Sequence, residues 1–124
     1  MRGDHALVSL HATDGDIHKG GYASANKMLW VLGNYSRFFR PGYVRVELEG
    51  ANDLDGLAAS AYVSPEGDKV VAVFVNSSFE DVQVDMALPK AWKKRLSSLS
   101  SYRTDARHDL AKTVTGQGCQ HTIA

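Results

Sequence analysis

The stretch Met28–Glu49, MLWVLGNYSRFFRPGYVRVELE, decides how this chain is organised. At about 100° per residue, Met28, Val31, Leu32, Tyr35, Phe38 and Phe39 share one helical face, with Leu29 at its margin. That stripe spans nearly half the circumference, wider than the ~100° apolar face of an ordinary surface helix. Fully burying one large apolar side chain contributes about 1.5–3 kcal/mol, so the six together represent a stabilisation of order 10 kcal/mol that needs a partner surface. Trp30 falls on the opposite side with Gly33, Asn34 and Arg37, which suggests a helix held between two layers. Ser24 is the expected N-cap. Pro41 ends the helix, because it lacks an N–H and forces Arg40 out of the α region, and Gly42 permits the change of direction. The period then changes to two: Val44, Val46 and Leu48 alternate with Tyr43, Arg45, Glu47 and Glu49, as in a half-buried strand.

Working outward, Ala6–Leu10 (ALVSL) is a short apolar run expected as a buried strand, with a turn at Asp14-Gly15-Asp16 and a flexible connection at Gly20-Gly21. On the other side, strands are expected over Leu57–Ser64, Lys69–Asn76 and Val82–Leu88, with a hairpin turn at Pro65-Glu66-Gly67-Asp68. The nearly all-apolar VVAVFV run predicts that the second of these is central and covered on both faces. Weaker strand patterns follow over Arg95–Arg103, anchored by Leu96 and Leu99, then Leu110–Thr115 and Cys119–Ala124. Short strands at this spacing, joined by Gly, Pro and Asn turns, predict a mainly β fold, an antiparallel β-sandwich preceded by one strand, a loop and one long helix.

Fourteen Lys+Arg against fourteen Asp+Glu leave no formal net charge, so no steering toward nucleic acid or anionic lipid is expected. The Lys90, Lys93, Lys94, Arg95 cluster is too small for a nucleic-acid footprint and reads as a solvated turn. The single Cys119 excludes an internal disulfide and a cysteine-based zinc cluster, and reads as a small buried hydrophobe. The longest apolar run is far short of the ~20 residues a membrane span needs. The polar start Met1-Arg2-Gly3-Asp4-His5 has no apolar segment behind it resembling a signal peptide.

Chemistry is sparse. Glu47 and Glu49 project from one face of the expected strand, ~6.6–7 Å apart along it, but such a pair ordinarily forms a solvated face. His5, His11, His18, His108 and His121 show no HxxxH or HxH spacing, and His108-Asp109 has no Gly-x-Ser-x-Gly elbow to serve. No phosphate loop occurs. Catalytic residues, metal ligands and cofactors are therefore all expected to be none. Tyr22, Trp30, Tyr43, Tyr62, Trp92 and Tyr102 are the aromatics not committed to the core by the pattern, and such rings can stack on sugars.

The run Leu32–Val46, LGNYSRFFRPGYVRV, resembles the helix-to-strand junction "LGxxSRFIRPGyxRI" of family 30 glycoside hydrolases, with Phe39 at a position where isoleucine or valine is common. Val75-Asn76-Ser77, Ser101–Thr104, Asp109-Leu110 and His121–Ala124 fit more loosely, and the proline of the closing strand is absent. The resemblance implies that residues 1–40 are a remnant of the end of a (β/α)8 barrel and that 41–124 are its β-sandwich side domain, cut short in the last strand. It implies a parent that is a secreted (extracellular or periplasmic) retaining β-glycosidase using two carboxylates. None of that family's catalytic glutamates maps onto this sequence, so the chain itself is expected to be inactive. Implied partners are the parent's catalytic barrel and a β-linked glycan. Alone, the chain is expected to self-associate through its helix or an open sheet edge. The alternative is a freestanding carbohydrate-binding or adhesion module.

Overall fold

A computed structural model describes residues 6–50, 55–93, 97–116 and 120–123. The strands are β1 Val8–Thr13, β2 Asp16–Ala25, β3 Val44–Val46, β4 Leu57–Val63, β5 Val70–Asn76, β6 Val82–Asp85, β7 Leu99–Arg103, β8 Ala111–Gly116 and β9 Gln120–Ile123. The helices are α1 Lys27–Ser36 and the short α2 Lys90–Lys93. The fold is mainly β and its strand pairing is antiparallel. The described strands form four small sheets: β1–β2, β3–β4–β5, β6–β9 and β7–β8.

The first hairpin corrects the expected strand-and-connection reading. Asp14 and Gly15 both have positive φ (53° and 73°), the type I′ geometry whose twist matches paired strands. Gly20-Gly21 lies inside β2 and connects nothing flexibly. Ala12 faces Gly21 while Thr13 faces Asp16, so Ile17–Gly20 bulge out of the ladder. Only glycine fits at position 21, where a Cβ would lie 2.1 Å from the His11 carbonyl oxygen.

Ser24 belongs to β2 and does not cap the helix; Asn26 stands at the N-cap instead. Its backbone N–H donates to the Leu7 carbonyl, and its side chain donates to the Ala6 carbonyl and Ser9 Oγ (3.0 and 2.8 Å). The residue thus ties the hairpin to the helix. α1 also ends earlier than expected, at Ser36. The N–H groups of Phe38 and Phe39 both donate to the Tyr35 carbonyl, which tightens the chain before the proline. Tyr43 N–H closes a turn on the Arg40 carbonyl, with Pro41 and Gly42 (φ 100°) in the positions a type II turn requires.

β3 is only three residues long, so Glu47 and Glu49 lie beyond it and the strand spacing does not apply to them. Val44 is exposed. The strand between two neighbours is β4 rather than β5, which lies at the sheet's edge among the described pairings. Leu57 and Ala61 are buried on one face of this sheet, and Val73, opposite Ser60, on the other. The expected hairpin turn is present. Ser64 Oγ accepts from the N–H groups of Asp68 and Lys69 (3.1 and 3.0 Å) and donates to Asp68 Oδ1 (2.7 Å). Those bonds satisfy a hydroxyl that is otherwise buried.

Lys90–Lys93 is helical where a solvated turn was expected. β6 stops at Asp85, short of Leu88, and pairs with β9. Lys94, Arg95, Leu96 and Cys119 lie outside the described residues, as do residues 1–5. No helix of the described residues is long and apolar enough to cross a membrane. Among the described residues, Leu57, Ala61, Ser64, Val73 and Leu110 are the buried ones.

Candidate functional site

Phe38 and Phe39 are adjacent just past α1, and their rings go to different sheets. Phe39 stacks on Tyr62 of β4, with centroids 4.0 Å apart and planes 14° apart, and also touches Tyr35 and Tyr43. Phe38 meets Tyr102 of β7 at 4.7 Å. The Arg37 guanidinium lies 5.1 Å from the Tyr102 centroid, within cation–π range. One helix end therefore pins two sheets. This commits Tyr43, Tyr62 and Tyr102, three of the six rings that the sequence left free. Trp30 and Trp92 are half-buried. Tyr22 alone of the six is exposed, on the first hairpin.

The second contact of α1 is with the loop between β7 and β8. Asn34 Nδ2 donates to the Trp30 carbonyl and to Thr104 Oγ1, both at 2.9 Å. The same hydroxyl oxygen accepts the Leu110 N–H at 3.0 Å. Leu110 is buried despite a left-handed φ of 51°, a conformation that costs a branched side chain energy and needs surrounding contacts to hold it. Gly33 makes room for it, since a Cβ there would lie 3.3 Å from Leu110 Cδ2. Lys27 Nζ donates to the Asp105 carbonyl at 2.9 Å and pairs with Asp109. The face carrying Trp30, Gly33 and Asn34 thus meets the protein's own loop. The expected apolar stripe is split: Tyr35, Phe38 and Phe39 are half-buried among the rings of the two sheets, whereas Met28, Val31 and Leu32 are 43%, 43% and 47% exposed.

Within the loop, Asp105 Oδ1 accepts from Arg107 N–H, His108 N–H and His108 Nδ1, each at 2.8 Å, and Arg103 pairs with Oδ2. The Arg107 N–H is the chief reason this carboxyl is held well below the usual carboxylate range. Partial desolvation opposes it, and His108 and the Arg103 charge add to it. Every one of these groups serves the loop's own shape.

The hairpin β1–β2 carries an open concavity of about 280 Å³ lined by Leu10, His11, Ala12, Ile17, Gly20, Gly21, Tyr22 and Ala23. Tyr22 stacks on His11 (4.5 Å, 14°), and His11 Nε2 is 2.9 Å from Ser24 Oγ. No described carboxylate lines it, so it offers ring stacking but no acid–base pair. Of the other histidines, His18 is exposed, His121 falls on β9 opposite Val84, and His5 is outside the described residues. Among the described residues no group of three or more His, Cys, Asp or Glu could hold a metal ion. The signal that could have revealed the Asn34–Thr104–Leu110 clasp is Asn34 itself, a poor helix former placed mid-helix beside Gly33. No family model matches the chain.

Proposed function

We propose that this chain is the non-catalytic β-domain, with the last barrel helix, of a family 30-like O-glycosyl hydrolase acting on β-linked glycans. Its role is structural support of a catalytic barrel. The observation that carries this reading is the run Leu32–Val46. Its helix, its Arg40–Tyr43 turn and its following strand occur in the order the family motif requires. The outward-facing Met28, Val31 and Leu32 support it, because an exposed apolar patch on one helix face asks for an apolar partner. On this reading residues 41–124 belong to an antiparallel sandwich, and the parent enzyme works outside the cytoplasm.

The isolated chain should release no aglycone from aryl β-glycosides. Measurable retaining hydrolysis by the purified chain would sink the proposal. Put in place of the last barrel helix and β-domain of a family 30 glycosidase, the chain should restore soluble, active protein. The freestanding binding-module alternative has one exposed ring of its six candidates behind it, Tyr22. Glycan binding that is lost on Trp30→Ala or Trp92→Ala would favour that alternative.

A further inference from the structure

We infer that Asn76 is the acceptor for an N-linked oligosaccharide delivered from a polyprenyl-diphosphate donor. The sequence carries two Asn-x-Ser/Thr triplets with no proline in the middle, Asn34-Tyr35-Ser36 and Asn76-Ser77-Ser78. As sequence the two are equal. Their places in the fold separate them.

The triplet is read at two points, the asparagine amide and the hydroxyl two residues on, so a chain that sets both side by side suits a transferring enzyme. At Asn76 a turn does this. Ser78 N–H and Ser78 Oγ both donate to Asn76 Oδ1, at 3.0 and 2.7 Å, which makes an Asx turn around the side chain to be modified. Asn76 is the last residue of β5, and Ser77, Ser78, Phe79, Glu80 and Asp81 beyond it are all exposed. The amide is engaged, since Nδ2 donates to the Glu80 carbonyl at 2.8 Å. Transfer therefore needs the turn to open, and a turn made of exposed residues opens locally at little cost. Ser77 N–H remains bonded to the Gly56 carbonyl at 2.7 Å, so that opening stops short of β5.

Asn34 is the opposite case. It lies within α1, where residues two apart do not face each other, so Ser36 is held away from it. Its Nδ2 donates to the Trp30 carbonyl and to Thr104 Oγ1, the oxygen that also accepts the Leu110 N–H. Releasing that amide would undo the clasp between α1 and the β7–β8 loop.

In the transfer, Asn76 Nδ2 attacks C1 of the first sugar. The C1–O bond to the diphosphate breaks and its electron pair leaves with the lipid diphosphate. The C1–Nδ2 bond forms, and one amide proton passes to a base of the transferring enzyme. Nothing is oxidised or reduced. The inference rests on the proposal that the parent enzyme is exported, because donors of this kind meet proteins on the export route.

The test incubates the purified, folded chain with a single-subunit oligosaccharyltransferase that accepts Asn-x-Ser/Thr and a polyprenyl-diphosphate oligosaccharide, and maps the product by peptide mass. The expected result is one glycan, at Asn76, and none at Asn34. Asn76→Gln should abolish transfer. Ser78→Ala should abolish it too, although it keeps both the asparagine and the backbone N–H that donates to Asn76 Oδ1. Ser36→Ala should leave transfer unchanged. Three results would each overturn the inference: a folded chain that takes no glycan, a glycan at Asn34, or full transfer to the Ser78→Ala variant. None of them involves the barrel, so the glycosidase reading stands or falls separately in the replacement experiment.

Discussion

Two hairpins flank α1 and are held to it in opposite ways. β7–β8 is clasped by its loop. Leu110 is buried against Gly33, Thr104 receives Asn34, and Lys27 reaches Asp105 and Asp109. β1–β2 is continuous with the helix in sequence and is tied at Asn26, yet its length stands open. Both are antiparallel ladders with one register shift each. The difference shows that turn chemistry and backbone pairing make a hairpin, whereas attachment needs a buried side chain and satisfied polar partners.

The largest effect should come from breaking the clasp. Leu110→Ala removes a buried side chain at a site that Gly33 was shaped to receive, and should cost about 3 kcal/mol in urea unfolding. Phe39→Ala should follow at about 2 kcal/mol, since the ring is half-buried but stacked on Tyr62. Asn34→Ala should lose about 1 kcal/mol and raise hydrogen exchange at Leu110, whose N–H shares the same Thr104 hydroxyl.

Acid should act on the clasped hairpin through Asp105. Its carboxyl gives up its proton more readily in the fold than in the unfolded chain, so protonation favours unfolding. That contribution is complete above the ordinary carboxylate range and fades as pH falls below about 4. The urea midpoint should drop across that window, and Asp105→Asn should flatten the drop while lowering the midpoint at neutral pH. On the open hairpin the same kind of cut should do least. In dilute solution, Leu10→Ala should change stability by less than about 0.5 kcal/mol. A Leu10→Ala loss as large as that of Leu110→Ala would erase the contrast.

Much of the fold was legible where local chemistry decides it. Pro41 and Gly42 mark the end of the helix, Asp14-Gly15 marks a turn, and the alternation at Leu57, Ala59, Ala61 and Val63 marks a strand. β2 was missed because Gly20, Gly21, Ala23 and Ser24 have weak strand propensity and pair only through the ladder of β1. The apolar run of β5 suggested a central strand. Pairing partners are a tertiary matter, however, and β4, built largely of alanine and serine, took that place. The apolar stripe packs inward at Tyr35, Phe38 and Phe39 but stands open at Met28, Val31 and Leu32. Gly33 and Asn34 admit the loop on the other face, and that loop is seventy residues away in sequence. Three of the six aromatics left uncommitted by the pattern turn out to be held for the same reason. Tyr43, Tyr62 and Tyr102 are held by Phe38 and Phe39 in contacts that no spacing reveals.

We propose that the open part of the helix face and the Leu32–Val46 junction serve a glycosidase barrel. The most direct test is the initial rate of retaining β-glycoside hydrolysis by a family 30 enzyme whose last barrel helix and β-domain are replaced by this chain. The account predicts activity within about tenfold of the intact enzyme, and loss of it when Met28, Val31 and Leu32 are changed together to lysine. A fusion no more active than the barrel joined to an unrelated β domain would contradict it.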